Sequence, residues 1–259
     1  MPRATPQAGR TRLAITIVLA VLIGVAGAVL LPVLIHETEP PAATSYRAEI
    51  GFAVPDAGLP QAGVFHVFAT HPGGVRLSVE EGIPQGANQE AVIGMIADAI
   101  ADSDWPEGAL PSKAGSLLSF PSVTSIGGSP GVPGVPLSIS VASRPGQALS
   151  VRIRQREGAD SPEGRVRLAF SARGVVAADG VADSTAPASA TTSWLPYGEV
   201  LQDLIRRLHQ AGWVTATAAD DGRLVLMLPD GGDLGSAILT VEYAGGVPQT
   251  HDWSFELLR

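Results

Sequence analysis

The stretch VFHVFATHPGGVRLSV, from Val64 to Val79, contains the pattern on which the fold prediction rests. It contains two short runs rich in valine, Val64 to Ala69 and Val75 to Val79, and the first also holds two phenylalanines. Glycine and proline separate the two runs. Runs of this length, bounded by turn residues, are typical of β-strands. The stretch therefore predicts two neighbouring strands.

The same kind of short, often alternating run recurs along most of the chain. Further strands are predicted at Tyr46 to Val54, Leu137 to Val141, Leu149 to Ile153, Val166 to Phe170, Trp213 to Thr217, Leu224 to Leu228, Ile238 to Val241 and Trp253 to Leu257. Asp221 and Gly222 predict a hairpin turn between two of them. The chain is therefore expected to be rich in β-structure.

Two amphipathic helices are predicted among these strands. The first runs from about Asn88, an N-cap residue type, to Ala101, and the second from near Pro196 to Gly212. Their apolar residues recur at helical spacing and form the predicted core: Val92, Ile93, Ile96, Ile100 and Trp105 with the first helix, and Val200, Leu201, Leu204, Leu208 and Trp213 with the second. The two tryptophans are expected to hold each helix against a sheet.

The two helical regions align without a gap at an offset of 108 residues. Val92 aligns with Val200 and Trp105 with Trp213, and the pattern continues to Pro121 and Pro229. A Val-Arg-Leu strand precedes each helix, at Val75 and at Val166. We infer two copies of one α/β module, with coincidence between two generic helix-to-hairpin units as the alternative.

The order of strand, helix of about a dozen residues and hairpin in these regions resembles the small modules of flagellin-type, hook-associated and phage tail-sheath proteins. The best examples are Val75 to Trp105 and the hairpin from Trp213 to Leu228. The resemblance implies that the modules serve as surface and interaction units.

The segment from Leu13 to Ile35 is apolar and uncharged over 23 residues. That length exceeds the roughly 30 Å hydrocarbon core of a bilayer at about 1.5 Å per residue, and it predicts a transmembrane helix. A cleaved signal peptide is the alternative, but such peptides have a shorter apolar region and a small-residue cleavage site. Three arginines precede the segment, which places the N-terminus in the cytoplasm. Ala20, Gly24 and Ala28 line one face and predict helix packing in the membrane.

The expected fold class is a single N-terminal transmembrane helix followed by a β-rich α+β extracytoplasmic region with two similar modules. The expected boundaries are a cytoplasmic tail at 1–12, the transmembrane helix at 13–35, a stalk at 36–45, module 1 at 46–146 and module 2 at 147–259. The localisation that follows is the bacterial inner membrane, with a periplasmic C-terminal region. Residues 125–136 and 175–193 are expected to be long loops.

Charge and composition exclude several function classes. The 25 acidic residues outnumber the 17 basic ones, so a nucleic-acid-binding surface is not expected. The chain has no cysteine, which excludes disulfides, thiolate metal sites and cysteine nucleophiles.

Residues with the chemistry for catalysis or metal binding are present, but their spacing does not form a motif. Gly127 to Gly131 matches Gly-x-Ser-x-Gly literally, yet the prolines that follow prevent the helix that this serine motif needs. His36 could ligate a tetrapyrrole and is expected to be an interfacial residue instead. The remaining candidates are expected to be solvated polar residues: His66, His71, Asp56, Asp230 and Asp233 for a metal, and Asp98, Asp102 and Asp104 for acid catalysis.

The predicted function is therefore a non-enzymatic, membrane-anchored structural or accessory subunit without a cofactor. Its expected partners are the subunits of a larger membrane complex and the lipid bilayer. The alternatives are a membrane-tethered carbohydrate- or ligand-binding protein and an unrecognised hydrolase. An aromatic-lined pocket would favour the binding alternative.

Overall fold

A computed structural model describes residues 45–142, 151–156, 164–174, 188–211, 215–219, 223–226, 234–245 and 252–257. For 151–156, 174, 188, 215–219, 223–226, 234 and 257 only the backbone is described. The described strands form two antiparallel sheets, which we call sheet A and sheet B.

Sheet A has the strand order β10-β9-β14-β7-β1-β5-β4, and β11 also pairs with β9. Its strands are β1 (Tyr46–Phe52), β4 (Ser112–Ala114), β5 (Leu117–Val123), β7 (Leu137–Ala142), β9 (Arg165–Gly174), β10 (Ala188–Thr191), β11 (Leu195–Pro196) and β14 (Leu234–Ala244).

Sheet B has the order β12-β13-β8-β15-β6-β2-β3. Its strands are β2 (Gly63–Thr70), β3 (Arg76–Ile83), β6 (Ser125–Ser129), β8 (Val151–Arg156), β12 (Thr215–Ala219), β13 (Arg223–Leu226) and β15 (Asp252–Leu257).

Two α-helices accompany the sheets, α1 (Gln89–Ala101) and α2 (Tyr197–Gln210), and a short 3-10 helix spans Glu107–Ala109. The side chain of Asn88 caps α1 by accepting a hydrogen bond of 2.9 Å from the backbone N–H of Ala91. α1 packs against β3 of sheet B and against β1, β4 and β5 of sheet A, whereas α2 packs against β9, β10, β11 and β12. Each helix therefore contacts edge strands of both sheets.

The core lies between the inner faces of the two sheets and under the two helices. Alternation along the strands selects its residues, as in β1, where Tyr46, Ala48, Ile50 and Phe52 are buried. The apolar faces of the helices are also buried: Val92, Ile93, Ile96 and Ile100 in α1, and Val200, Leu201, Leu204 and Leu208 in α2.

The topology repeats when the two sheets are exchanged. The strand order of sheet A becomes that of sheet B when each element is replaced by its counterpart in the other half of the chain. The counterparts are β1 and β8, β2 and β9, β3 and β10, α1 and α2, β4 and β12, β5 and β13, β6 and β14, and β7 and β15. The strand at Val166 therefore corresponds to β2, and not to the strand at Val75 as the sequence pattern suggests. Each sheet takes strands from both halves of the chain, so the halves are not separate modules.

The predicted fold class needs correction. The expected tail, the transmembrane helix from Leu13 to Ile35 and the stalk before Ser45 lie outside the described residues. The two described α-helices have 13 and 14 residues. Helices of that length span about 20 Å, which is shorter than a hydrocarbon core of about 30 Å. Across the described ranges, no helix is long and apolar enough to cross a membrane.

The single-pass, membrane-anchored description and the inner-membrane localisation are corrected accordingly, because the described residues contain no membrane-spanning helix. What the structure supports is a β-rich, sandwich-like fold with two helices. The expected boundary between the two modules, at residues 146 and 147, lies outside the described residues.

The predicted loop at residues 125–136 is also wrong in its first part, because Ser125–Ser129 forms β6 in the middle of sheet B. Gly127 allows this strand to pack between its neighbours, because a Cβ atom at this position would lie 2.5 Å from the ring of Phe68 and 2.6 Å from the Cβ atom of Ser254. Only glycine permits this close approach of the side chains on either side. The second predicted loop, 175–193, is described only from residue 188 onward, where β10 begins.

Candidate functional site

The outer face of sheet B carries the candidate site, and strand alternation determines which residues reach it. In β2, Phe65 and Val67 point into the core, so His66 and Phe68 lie on the opposite face. In β15, Trp253 and Phe255 are fully buried, and Asp252, Ser254 and Glu256 occupy the alternate positions. The outer side chains of these strands share one face because β6 pairs with both strands.

A cavity of about 370 Å³ lies on this face. That volume falls within the range of small-molecule sites, roughly 300 to 1,000 Å³. The lining combines aromatic, hydroxyl and charged side chains, and its residues are His66, Phe68, Ala69, Thr70, Arg76, Leu77, Ser78, Ser125, Asp252, Ser254 and Glu256.

A chain of two hydrogen bonds joins three of the lining residues. Asp252 Oδ1 lies 2.8 Å from His66 Nδ1, and His66 Nε2 lies 3.1 Å from Ser78 Oγ. An ionised carboxylate only accepts hydrogen bonds, so Nδ1 of His66 is the donor to Asp252. In the neutral imidazole, Nε2 then carries no proton and accepts the hydroxyl proton of Ser78.

The geometry of this chain follows from strand register. His66 pairs with Glu80 across β2 and β3, and Phe68 pairs with Ser78, so Ser78 is the diagonal neighbour of His66. Asp252 reaches His66 across β6, which lies between β2 and β15. The side chains of His66 and Asp252 are only 14% and 15% exposed, so the pair is largely shielded from solvent.

Ser129 lies in β6 directly beside this pair. It is the register partner of His66, and its hydroxyl is fully buried without a hydrogen-bond partner. The antiparallel register of β6 and β15 continues from the pair Gly128 and Trp253, which brings Ser129 level with Asp252. A polar group buried in this way is costly for stability and is uncommon in folded proteins.

Phe68 provides the aromatic surface of the cavity. Its ring contacts the glycine position at 127, and its centroid lies 5.3 Å from that of His66 with an interplanar angle of 40°. Arg76, Asp252 and Glu256 add charges of both signs around this surface. Hydroxyl groups complete the lining, including Ser125, which donates to Thr70 Oγ1 at 2.8 Å.

A second charged cluster, around Asp203 in α2, is structural. The side chain of Asp203 is 3% exposed, accepts hydrogen bonds from Arg206 and from Arg207 at 2.8 Å, and accepts one from the backbone N–H of Ser193 at 3.3 Å. Burial alone raises the pKa of Asp203, but the hydrogen bonds from Arg207 and Arg206 outweigh burial and leave the pKa below its usual value. The cluster ties α2 to the end of β10.

Two buried tyrosines also hold the core together rather than form a site. Tyr46 donates to the carbonyl oxygen of Phe255 at 3.0 Å, and Tyr243 accepts from Trp253 Nε1 at 2.8 Å. Burial raises the pKa of both phenols well above the ordinary value.

Among the described residues, His66 is the one candidate named from sequence that lines the cavity. Trp105 is buried and donates from Nε1 to the carbonyl oxygen of Ala109 at 2.8 Å. His71 packs edge-on against Trp105, with 5.7 Å between ring centroids. Asp98 Oδ1 lies 3.4 Å from Lys113 Nζ, and the Asp98 side chain is 79% exposed.

The serine of the literal Gly-x-Ser-x-Gly pattern, Ser129, lies in a strand and not at the strand-to-helix turn that this motif needs. In the described ranges, no group of three or more acidic or histidine residues could hold a metal ion. Several candidates lie outside the described residues: Ala20, Gly24, Ala28, His36, Trp213, Asp230 and Asp233.

Sequence reasoning missed the chain of Asp252, His66 and Ser78. His66 was expected to be a solvated residue, and Ser78 and Asp252 carried no signal of their own. One usable signal was the outward position of His66 in a strand whose alternate residues are apolar. The partner strand could not be inferred, because Asp252 lies 186 residues away along the chain.

Comparison with protein-family models, curated proteins and solved structures finds no match to this chain.

Proposed function

We propose that the protein binds a small polyhydroxylated ligand, such as a sugar, in the cavity on the outer face of sheet B. The observation that supports this function most directly is the combination of an aromatic ring with converging polar groups in a cavity of about 370 Å³. A sugar ring has apolar C–H faces that pack on an aromatic ring and hydroxyl groups that both donate and accept hydrogen bonds. Phe68 matches the first property, and the carboxylates, Arg76 and the serine hydroxyls match the second.

The outer face of sheet A can be compared with that of sheet B, because each strand of sheet B has a counterpart in sheet A. The strand that corresponds to β2 is β9, where Arg167 forms an ion pair of 2.5 Å with Glu242 and lies over the ring of Trp194. Arg167 and Glu242 are thus engaged with each other. Asp252 and His66 are also paired, but their pair lies at the margin of a cavity that is open to a ligand.

The accessory-subunit function expected from the sequence stays a prediction. Ligand binding, its alternative, now has a specific cavity in its favour.

A titration with monosaccharides tests the binding proposal. Saturation-transfer NMR with a panel of neutral sugars, amino sugars and uronic acids should detect at least one ligand. Phe68→Leu keeps an apolar side chain over Gly127 and removes the ring face. Because aromatic contacts contribute about 0.5 to 1.5 kcal/mol, this variant should raise the Kd about two- to tenfold.

Val64→Ala is the matched control. Val64 lies on the same strand and face as Phe68, is 40% exposed and is not part of the cavity lining. Its substitution should leave the Kd unchanged. Absence of binding by every sugar in the panel, or equal effects of the two variants, would contradict the proposal.

A further inference from the structure

We propose that Ser78 is a nucleophile and that the cavity hydrolyses O-acyl esters of the polyhydroxylated ligand. This inference rests on the proposed binding function and specifies the substrate class for the same cavity. Its geometric basis is the hydrogen-bonded order of carboxylate, imidazole and hydroxyl in Asp252, His66 and Ser78.

The distances match those of an activated serine. Nucleophile and base must lie within about 2.6 to 3.2 Å, and a third group must orient the base. Ser78 Oγ and His66 Nε2 are 3.1 Å apart, and Asp252 holds Nδ1 of the same ring at 2.8 Å. Such constellations are recognised by geometry and not by sequence order. Ser78 is itself exposed and lines the cavity, so an acyl group in the cavity can reach it.

The reaction balances with water as the only co-reactant. Ser78 Oγ forms a bond to the acyl carbon while His66 Nε2 takes the hydroxyl proton, and the bond from that carbon to the alcohol oxygen then breaks as the alcohol receives the proton. Water attacks the acyl-serine by the same route, with His66 again taking and returning a proton. The products are a carboxylic acid and the free hydroxyl of the ligand.

A backbone donor for the oxyanion is available at the edge of the sheet. The carbonyl oxygen of His66 lies against Gly128 of β6, so the backbone polar groups of His66 face β6. Because the direction of these groups alternates along a strand, those of Val67 face β3, and its partner Val79 bonds back to β2. The N–H of Ser78, one residue earlier, faces away from β2. Since β3 ends the strand order of sheet B, that N–H lies at the sheet edge.

Arg76 contributes positive charge to the same region. It lies two residues before Ser78 on the same face of β3 and lines the cavity. Positive charge and N–H donors near a developing oxyanion stabilise the transition state of acyl transfer. We infer that the Ser78 N–H and Arg76 together serve this purpose.

Two probes test the inference directly. A fluorophosphonate, which forms a covalent bond with activated serines, should label Ser78, as located by peptide mass spectrometry. Hydrolysis of 4-nitrophenyl acetate should be measurable, should fall to background in Ser78→Ala, and should fall about 100-fold in His66→Gln because a general base contributes that much or more.

Ser189→Ala is the matched control. Ser189 is an exposed serine of β10, the strand of sheet A that corresponds to β3 under exchange of the sheets. Its removal should leave both labelling and hydrolysis unchanged. Ser78→Ala must retain the wild-type circular dichroism spectrum and Tm, which is expected because its side chain is exposed.

Asp252 acts as a positioning residue through His66. Asp252→Asn should lower kcat for 4-nitrophenyl acetate with little change in KM, whereas a purely structural role would alter the Tm and leave kcat per folded molecule unchanged.

Hydrolysis that persists in Ser78→Ala, or wild-type protein that is neither labelled nor active, would overturn the inference. If sugars still bind and Phe68→Leu still weakens them, ester hydrolysis alone has failed. If the wild-type protein binds no sugar of the panel, the binding function itself is rejected.

Discussion

Asp203 shows how a single buried carboxylate is stabilised by its own helix. Arg206 and Arg207 lie three and four residues further along α2, where side chains of one helix face meet. Their hydrogen bonds, with that of the Ser193 N–H, offset the cost of burial and lower the pKa of Asp203. The folded state therefore favours the ionised form of Asp203.

This linkage predicts a pH-dependent effect of Asp203→Asn. A carboxyl group whose pKa is lower in the folded state stabilises the protein above the unfolded pKa of about 4 and loses that contribution as the pH falls through the folded pKa. At pH 7 the variant should lose about 2 kcal/mol of unfolding free energy, and the difference from wild type should shrink below about pH 4. Urea unfolding across this pH range measures it.

Asp98→Asn is the control for that series, because the Asp98 side chain is 79% exposed. Its effect should stay within about 0.5 kcal/mol at pH 7. A destabilisation by Asp203→Asn that stays constant down to pH 2 would contradict the linkage.

At the scale of elements, β6 shows where sequence patterns mislead. Gly127 and Gly128, with prolines close behind, have the composition of a loop, and yet they lie in a central strand between β2 and β15. The reason is steric, since the ring of Phe68 and the backbone of Trp253 occupy the space that a side chain on Gly127 would need. Such a requirement depends on neighbours in space and leaves no periodic signal in the sequence.

The packing around β6 therefore predicts that alanine substitution changes the free energy of unfolding more at Gly127 than at Gly82, both in sheet B. Gly127→Ala should destabilise the protein by about 1 to 3 kcal/mol, because the added Cβ atom overpacks the contact with Phe68 and Ser254. Gly82→Ala, in β3, adds a Cβ atom with no atom within 4 Å and should change the unfolding free energy by less than about 1 kcal/mol. Equal losses in thermal unfolding would show that the packing around β6 is misassigned.

Elements with clear periodicity were predicted well. The sequence pattern placed α1 at about 88–101, and the helix spans Gln89–Ala101. The strand pattern at Val64 to Ala69 lies within β2, Gly63–Thr70. Periodicity succeeds in these cases because a face that packs on the core must be apolar at regular intervals.

At the scale of the whole molecule, pairing between distant strands determines both the fold and the site. β1 pairs with β7, β7 with β14, and β14 with β9, so sheet A joins the two halves of the chain. In sheet B, β15 pairs with β6, which brings Asp252 beside residues of the first half. The helical offset in the sequence predicted two similar modules, but it contained no information on which strands pair. The site could not be predicted for the same reason.

Shared sheets predict that the two halves unfold together. Residues 43–259 form one compact unit by their contacts. Calorimetry of the protein should show one transition, with equal calorimetric and van't Hoff enthalpies. A fragment ending at residue 142 should not fold, because β7 would lose its partner β14 and β6 would lose its partner β15. Two resolved transitions, or a folded fragment, would contradict the shared core.

The oriented chain of Asp252, His66 and Ser78 is the basis of the proposed chemistry, and NMR of ¹⁵N-labelled histidine tests this chain without any ligand. The five histidines can be assigned with the aid of His66→Gln. Long-range ¹H–¹⁵N correlation at pH 8 should show His66 with its proton on Nδ1 and an unprotonated Nε2, because Asp252 only accepts and Ser78 donates. Asp252→Asn should shift this tautomer toward the Nε2–H form. A wild-type His66 with its proton on Nε2, or averaged between the two nitrogens, would contradict the account.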